Sequence, residues 1–182
     1  MPLDTYYVFA NQYDYESDAI ADYDAVRKLY TDFGIIDTYD AAVLTRQPDG
    51  KVQIVKRVEE PTRHGAAIGL AVGFAVGVVI ALFPATGVAV GAGMLGGGGI
   101  GAIVGAITGH VSKGIKRSDL KSLGELLDEG ASGLVVVAAA DVAEKINDAI
   151  TRAQKRAKAQ LQADVDALKR EIDSAAHAAS AR

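Results

Sequence analysis

Five carboxylates crowd one short stretch of this chain: Asp14, Glu16, Asp18, Asp22 and Asp24, with Asp18 and Asp22 one helical turn apart. Such a cluster could hold a divalent cation, but it lacks the alternating ligands and fixed glycine of a calcium loop. It reads better as a solvated helix start, where negative charge meets the unsatisfied N–H groups of the first turn. The histidines offer little metal chemistry, because His64, His110 and His177 have no second ligand at metal spacing. His64 and His110 bracket an apolar run, which suits interfacial polar anchors; a pH-sensitive gate is the sharper alternative. Gly91-Ala92-Gly93-Met94-Leu95-Gly96 matches a dinucleotide-binding GxGxxG, yet no strand–turn–helix context or later acid surrounds it. No nucleophile elbow, serine triad or pair of carboxylates in an apolar pocket can be assembled. The chain has no cysteine, which excludes disulfides, thiolate metal sites and a cysteine nucleophile. The expectation is a protein that is not an enzyme, with no catalytic residues, no cofactor and no metal.

The strongest pattern is architectural. Residues 65–109 carry no charge and hold 14 of the chain's 20 glycines. Gly65, Gly69, Gly73 and Gly77 form one four-residue series, and Gly93, Gly97, Gly101, Gly105 and Gly109 form another. Residues four apart share a helix face, so each series lays a smooth groove along its helix. Interior glycine costs about 1 kcal/mol relative to alanine in water, whereas in lipid small residues let helices pack closely. Gly65 to Phe83 and Val88 to Gly109 are 19 and 22 residues long, against the roughly 20 a span requires, and Pro84 to Gly87 breaks them. Arg57 and Arg63 precede the run, and Lys113, Lys116 and Arg117 follow it. Basic flanks at both ends predict a transmembrane hairpin with both termini cytoplasmic, in the inner membrane of the cell. A glycine-rich pair packed inside a soluble oligomer, or inserted only partway, is the bland alternative.

The flanks supply the elements that position this run. Thr5 to Ala10 is β-branched and aromatic and predicts a strand. Ala19, Tyr23, Val26, Tyr30 and Phe33 then recur at helical spacing, and Gly34 is placed to end that helix. Ile36 to Arg46 and Lys51 to Val58 flank Gln47-Pro48-Asp49-Gly50, a hairpin in which glycine accepts positive φ. After the run, Leu120, Leu123, Leu126 and Leu127 mark a helix, and Leu134 to Ala138 a buried strand. With the apolar run removed the order is strand, helix, strand, strand, helix, strand. That is the α+β, ferredoxin-like split βαβ pattern: a four-stranded antiparallel sheet with two helices on one face. The expected division is 1–62 for its first half, 63–112 for the hairpin, 113–140 for its second half and 141–182 for a long amphipathic helix. In that last segment Val142, Ile146, Ile150, Ala153, Ala157, Leu161, Val165, Leu168, Ile172 and Ala176 recur at spacings of three and four. The distal half is expected to extend as a coiled-coil arm, with Leu161, Val165, Leu168 and Ile172 covered by a partner. Arg152, Lys155, Arg156 and Lys158 fall opposite that stripe, as a solvated face or a contact for anionic lipid headgroups.

The net charge of −4 is unevenly spread, with 12 acids against 7 bases before the run and 11 against 12 after it. No strongly basic domain appears, so nucleic acid is not an expected partner.

The chain resembles the domain of unknown function 1269 family of bacterial and archaeal glycine-zipper membrane proteins. The likeness rests on Tyr7-Val8-Phe9-Ala10-Asn11, on Gly34 to Val43, on the Asp49-Gly50-Lys51 hairpin and on the glycine-rich run. Leu123-Gly124-Glu125-Leu126-Leu127 with Ser132 to Val137 completes it, over about residues 5 to 145. The resemblance implies little beyond a membrane-associated protein of unknown activity. The leading expectation is a membrane-anchored scaffold that forms a homo-oligomer through its glycine series and meets lipid and, through the C-terminal helix, another protein. An oligomeric pore or apolar conduit and a ligand-sensing membrane-attached domain are the alternatives.

Overall fold

The computed structural model describes residues 3–33, 39–57, 74–83, 88–90, 100–128 and 131–180. Its centre is a six-stranded sheet built from β1 (Asp4–Tyr13), β2 (Tyr39–Arg46), β3 (Val52–Arg57), β4 (Val88–Val90), β5 (Ser132–Ala139) and β6 (Lys155–Ala163). The strand order is β4-β3-β2-β5-β1-β6. All pairings are antiparallel except β3 with β4, where Val52 lies beside Val88 in parallel register. The helices are α1 (Glu16–Phe33), α2 (Phe74–Leu82), α3 (Ile100–Gly114), α4 (Arg117–Asp128), α5 (Ala143–Ala149) and α6 (Val165–Ser180).

The sheet is buried on both faces, which explains the nearly continuous apolar run of β5, Leu134-Val135-Val136-Val137-Ala138. On one face Phe9, Tyr13, Ala41, Val43, Leu134 and Val136 pack with Ala19, Tyr23 and Val26 of α1 and Ile146 of α5. On the other, Val8, Ala42, Leu44, Ile54, Val135 and Val137 meet α2, α3, α4 and α6 through Val79, Ile107, Leu123 and Leu168. The α+β class therefore holds, but the expectation of four strands with both helices on one face does not. Here the sheet has six strands, and α1 and α4 cover opposite faces.

The local signals in the flanks are realised. Glu16 and Asp18 occupy the first turn of α1, and Gly50 adopts φ 82° in the β2–β3 turn, where the Gln47 carbonyl accepts from the Gly50 N–H at 2.9 Å. The single long helix expected over 141–182 is replaced by α5, β6 and α6. Lys155 to Ala163 alternates Ala157, Ala159, Leu161, Ala163 against Arg156, Lys158, Gln160, Gln162, a period of two that suits the free edge of β1. Pairing with β1 and burial of Leu161 override the helix propensity of alanine, lysine and glutamine.

The apolar run is also subdivided differently. Val88–Val90 is a strand rather than the start of a helix, α2 has nine residues, and α3 starts at Ile100 and continues past the run to Gly114. Among the described residues no helix is long and apolar enough to cross a membrane. Four residues of the run, Ala75, Val78, Val79 and Ile107, are fully buried in the core on the protein's own sheet.

Candidate functional site

Three places in this framework bring chemistry-bearing or packing residues together. The first is a buried carboxylate. Asp22 sits three residues after Ala19 and four before Val26 on α1, so it shares their inward face and is fully buried. Its Oδ2 accepts from the Tyr13 hydroxyl at 2.9 Å, from the Thr151 N–H at 3.1 Å and from the Arg152 N–H at 2.8 Å. Oδ1 accepts from Arg152 Nη1 at 3.2 Å. Four donors thus compensate one buried charge, and they tie α1 to the end of β1 and to the α5–β6 connection. Burial, then the Asp22 charge and hydrogen bond, push the Tyr13 phenol well above its ordinary value. The acidic stretch therefore divides. Asp14 and Glu16 are exposed, Asp18 is half-buried, Asp22 is the buried latch, and Asp24 pairs with Lys56 at 2.6 Å. The signal for Asp22 was present in the sequence as its register with the apolar stripe.

The second place is the contact between α2 and α3. Asp40 on β2 takes the Ala75 N–H on Oδ2 at 2.8 Å, so a carboxylate meets the first turn of α2 and fastens it to the sheet. Gly77 faces Ile107: a Cβ there would lie 2.5 Å from Ile107 Cγ2, closer than side chains tolerate. Gly105 and Gly109 differ. Both are exposed, and a Cβ on either would meet nothing within 4 Å. One glycine of the first series is thus spent on packing inside the chain, while two of the second open to the surroundings. Gly101 lies in α3; Gly65, Gly69, Gly73, Gly93 and Gly97 fall outside the described residues.

The third place is the outer edge of β6, where the basic cluster lies on and just before a strand instead of a helix. Lys155, Arg156 and Lys158 are exposed, and Lys158 Nζ stands 4.0 Å from the Tyr7 ring centroid and 5.5 Å from that of Phe9. Arg152 is turned inward to Asp22.

Other expected residues are dispersed. Leu161 and Leu168 are fully buried in the chain's own core, which corrects their assignment to a partner-binding arm. Val165 and Ile172 belong to α6. Lys113, Lys116 and Arg117 are exposed around the α3–α4 junction, Arg57 ends β3, and Arg63 falls outside the described residues. His110 Nε2 lies 3.1 Å from Glu171 Oε1, joining α3 to α6, and His177 Nδ1 lies 2.7 Å from the Asp173 carbonyl. His64 and Gly91 to Gly96 fall outside the described residues. Among the described residues no group of three histidines or carboxylates could hold a metal ion.

Comparison with protein-family models, with curated proteins and with solved structures finds no match.

Proposed function

We propose that this chain is a non-enzymatic scaffold that self-associates through the second glycine series, with the apolar run as its attachment to a membrane. The reading is carried by Gly105 and Gly109, which leave one side of α3 bare while Ile107 and Val111 bury the other. A bare helix side of this kind lets a second helix approach to backbone contact. The uncharged composition of residues 65–109 and the basic residues at both ends support attachment at an inner membrane with the sheet on the cytoplasmic side. The resemblance to the domain of unknown function 1269 family points the same way. In this reading β1–α1–β2–β3 and α4–β5 are the two parts of one domain interrupted by the glycine-rich run; their order along the chain supports it.

One observation favours a second reading, in which the run stays folded on the sheet and the assembly lives in water. Val76, Val78 and Val79 of α2 are buried against the chain's own core. Two measurements on the full chain separate the readings. Single cysteines at Asp49, Thr86 and Ser174 are labelled from outside intact cells: reaction at Thr86 alone supports the hairpin, and recovery of all protein in the soluble fraction overturns attachment. Native mass of Gly105→Leu/Gly109→Leu then tests self-association, which is abandoned if its oligomer matches the parent.

A further inference from the structure

We infer that the outer edge of β6 is a docking site for an acidic segment of another protein, which adds to the sheet as a seventh, antiparallel strand. β6 ends the sheet, and among the described residues no strand pairs with its outer side. An edge strand presents a row of backbone donors and acceptors that an extended peptide can complete. β6 has nine residues, and Gly114 at the end of α3 packs against the Gln162 carbonyl, so the ladder open to a partner runs over Lys155 to Gln160, the length of a common strand of about five to six residues.

Charge says what kind of segment fits. β6 reads Lys-Arg-Ala-Lys-Ala-Gln-Leu-Gln-Ala and holds no acid, in a chain whose net charge is −4. A second copy of β6 would set Arg156 and Lys158 of both strands on one shared face with nothing to offset them. A lipid surface would meet the cations but leave the strand's backbone groups without a ladder. An acidic extended peptide satisfies both.

The placement of the cations adds a direction. All three lie in the first half of β6, and Gln160 and Gln162 fill the second. An antiparallel partner therefore sets its C-terminal half against Lys155 to Lys158. Arg156 and Lys158 share the sheet face of Tyr7, whereas Ala157, Ala159 and Leu161 point to the other. The fitting segment alternates acidic with small apolar residues, its acids concentrated toward its C-terminus. This inference does not rest on the glycine series or on membrane attachment.

The test uses the full chain and three synthetic nonapeptides of alternating valine and glutamate or threonine. One carries its glutamates in the C-terminal half, one in the N-terminal half, and one repeats the first with a central proline that breaks the ladder without changing charge. The expected result is that the first binds and slows amide exchange across 155–160. The second and third should bind at least tenfold more weakly, and Arg156→Glu/Lys158→Glu should lose at least tenfold, while the exposed control Lys113→Glu/Lys116→Glu keeps its affinity. Equal binding of the proline peptide, protection elsewhere, or no binding overturns the proposal. So does protection of 155–160 by phosphatidylserine vesicles alone, or by dimerisation of the chain without peptide.

Discussion

Tyr13 and Asp22 meet at 2.9 Å from opposite sides of the turn that joins β1 to α1, and the carboxylate they share with the Thr151 and Arg152 N–H groups is fully buried. That contact binds the first helix to a connection about 130 residues further along the chain. It makes the C-terminal region part of the domain rather than an appendage.

Removing the carboxylate should be costly. Asp22→Ala leaves the Tyr13 hydroxyl and two backbone N–H groups without their acceptor, and an expected loss of about 3 kcal/mol follows from breaking such a buried arrangement. Asp22→Asn keeps an acceptor but loses the charge toward Arg152, and should cost less, about 1–2 kcal/mol. Urea denaturation with a common slope reads both. Equal stability of parent and Asp22→Ala would mean that the latch contributes nothing.

The same pair sets an alkaline limit. The Tyr13 phenol is raised from its ordinary value of 10.0 in the folded chain, first by burial and then by Asp22. A raised folded value means that its contribution is fully present below the unfolded value and is lost as pH climbs above about 10. Tyr6, raised by burial and by Asp4, adds to the same trend. Stability read from urea denaturation should fall as pH rises from about 9 to about 11, with Tyr13 contributing at most about 1.4 kcal/mol per pH unit above its unfolded value. Tyr13→Phe should flatten that slope, and an unchanged slope would remove Tyr13 from the account.

The glycines are expected to separate into two behaviours. Gly77→Leu drives a side chain into Ile107 and should destabilise the monomer by about 2–3 kcal/mol, because α2 and α3 must part. Gly105→Ala and Gly109→Ala meet open space and should raise helix stability by about 0.5–1 kcal/mol each. Thermal melting of the monomeric species is the readout. A destabilised Gly105→Ala would show that its surroundings are not open.

Part of this organisation was readable because single residues had one physical outlet. Gln47-Pro48-Asp49-Gly50 could only be a turn, and in it Asp49 Oδ1 accepts the Lys51 N–H at 3.0 Å. The β1, α1 and β5 segments carry one period each and fall where that period puts them. The region after Asp141 carries two periods at once: Ala157 and Leu161 are four apart and also an even number apart, so helical and strand periods both accept them. Only the open edge of β1 decides between the two, and that edge is invisible in local sequence. Val78, Val79 and Ile107, uncharged residues of the apolar run, bury their side chains on a sheet assembled from distant segments, a contact that composition alone does not reveal. Charge alone groups Asp22 with its acidic neighbours, whereas its helical register with Ala19 and Val26 places it inside.

Ending the chain after Gln154 tests how far β6 belongs to the fold. β1 pairs with β6 at nine positions, from Asp4 beside Ala163 to Gln12 beside Lys155. Deleting β6 and α6 exposes the edge of β1 and removes the fully buried Leu161 and Leu168 from the core. The loss of two large core side chains, at about 2–5 kcal/mol each, approaches the whole stability of a domain this size. The expected product is therefore an unfolded or aggregating chain, visible as lost cooperative melting and high native mass. Ending it after Asp164 removes only α6 and keeps the β1–β6 ladder, so that variant should retain its sheet signature and melt at a lower temperature. A cooperatively folded product from the first truncation would return the C-terminal region to the role of a dispensable arm, and β6 would then be an addition to a sheet that closes without it.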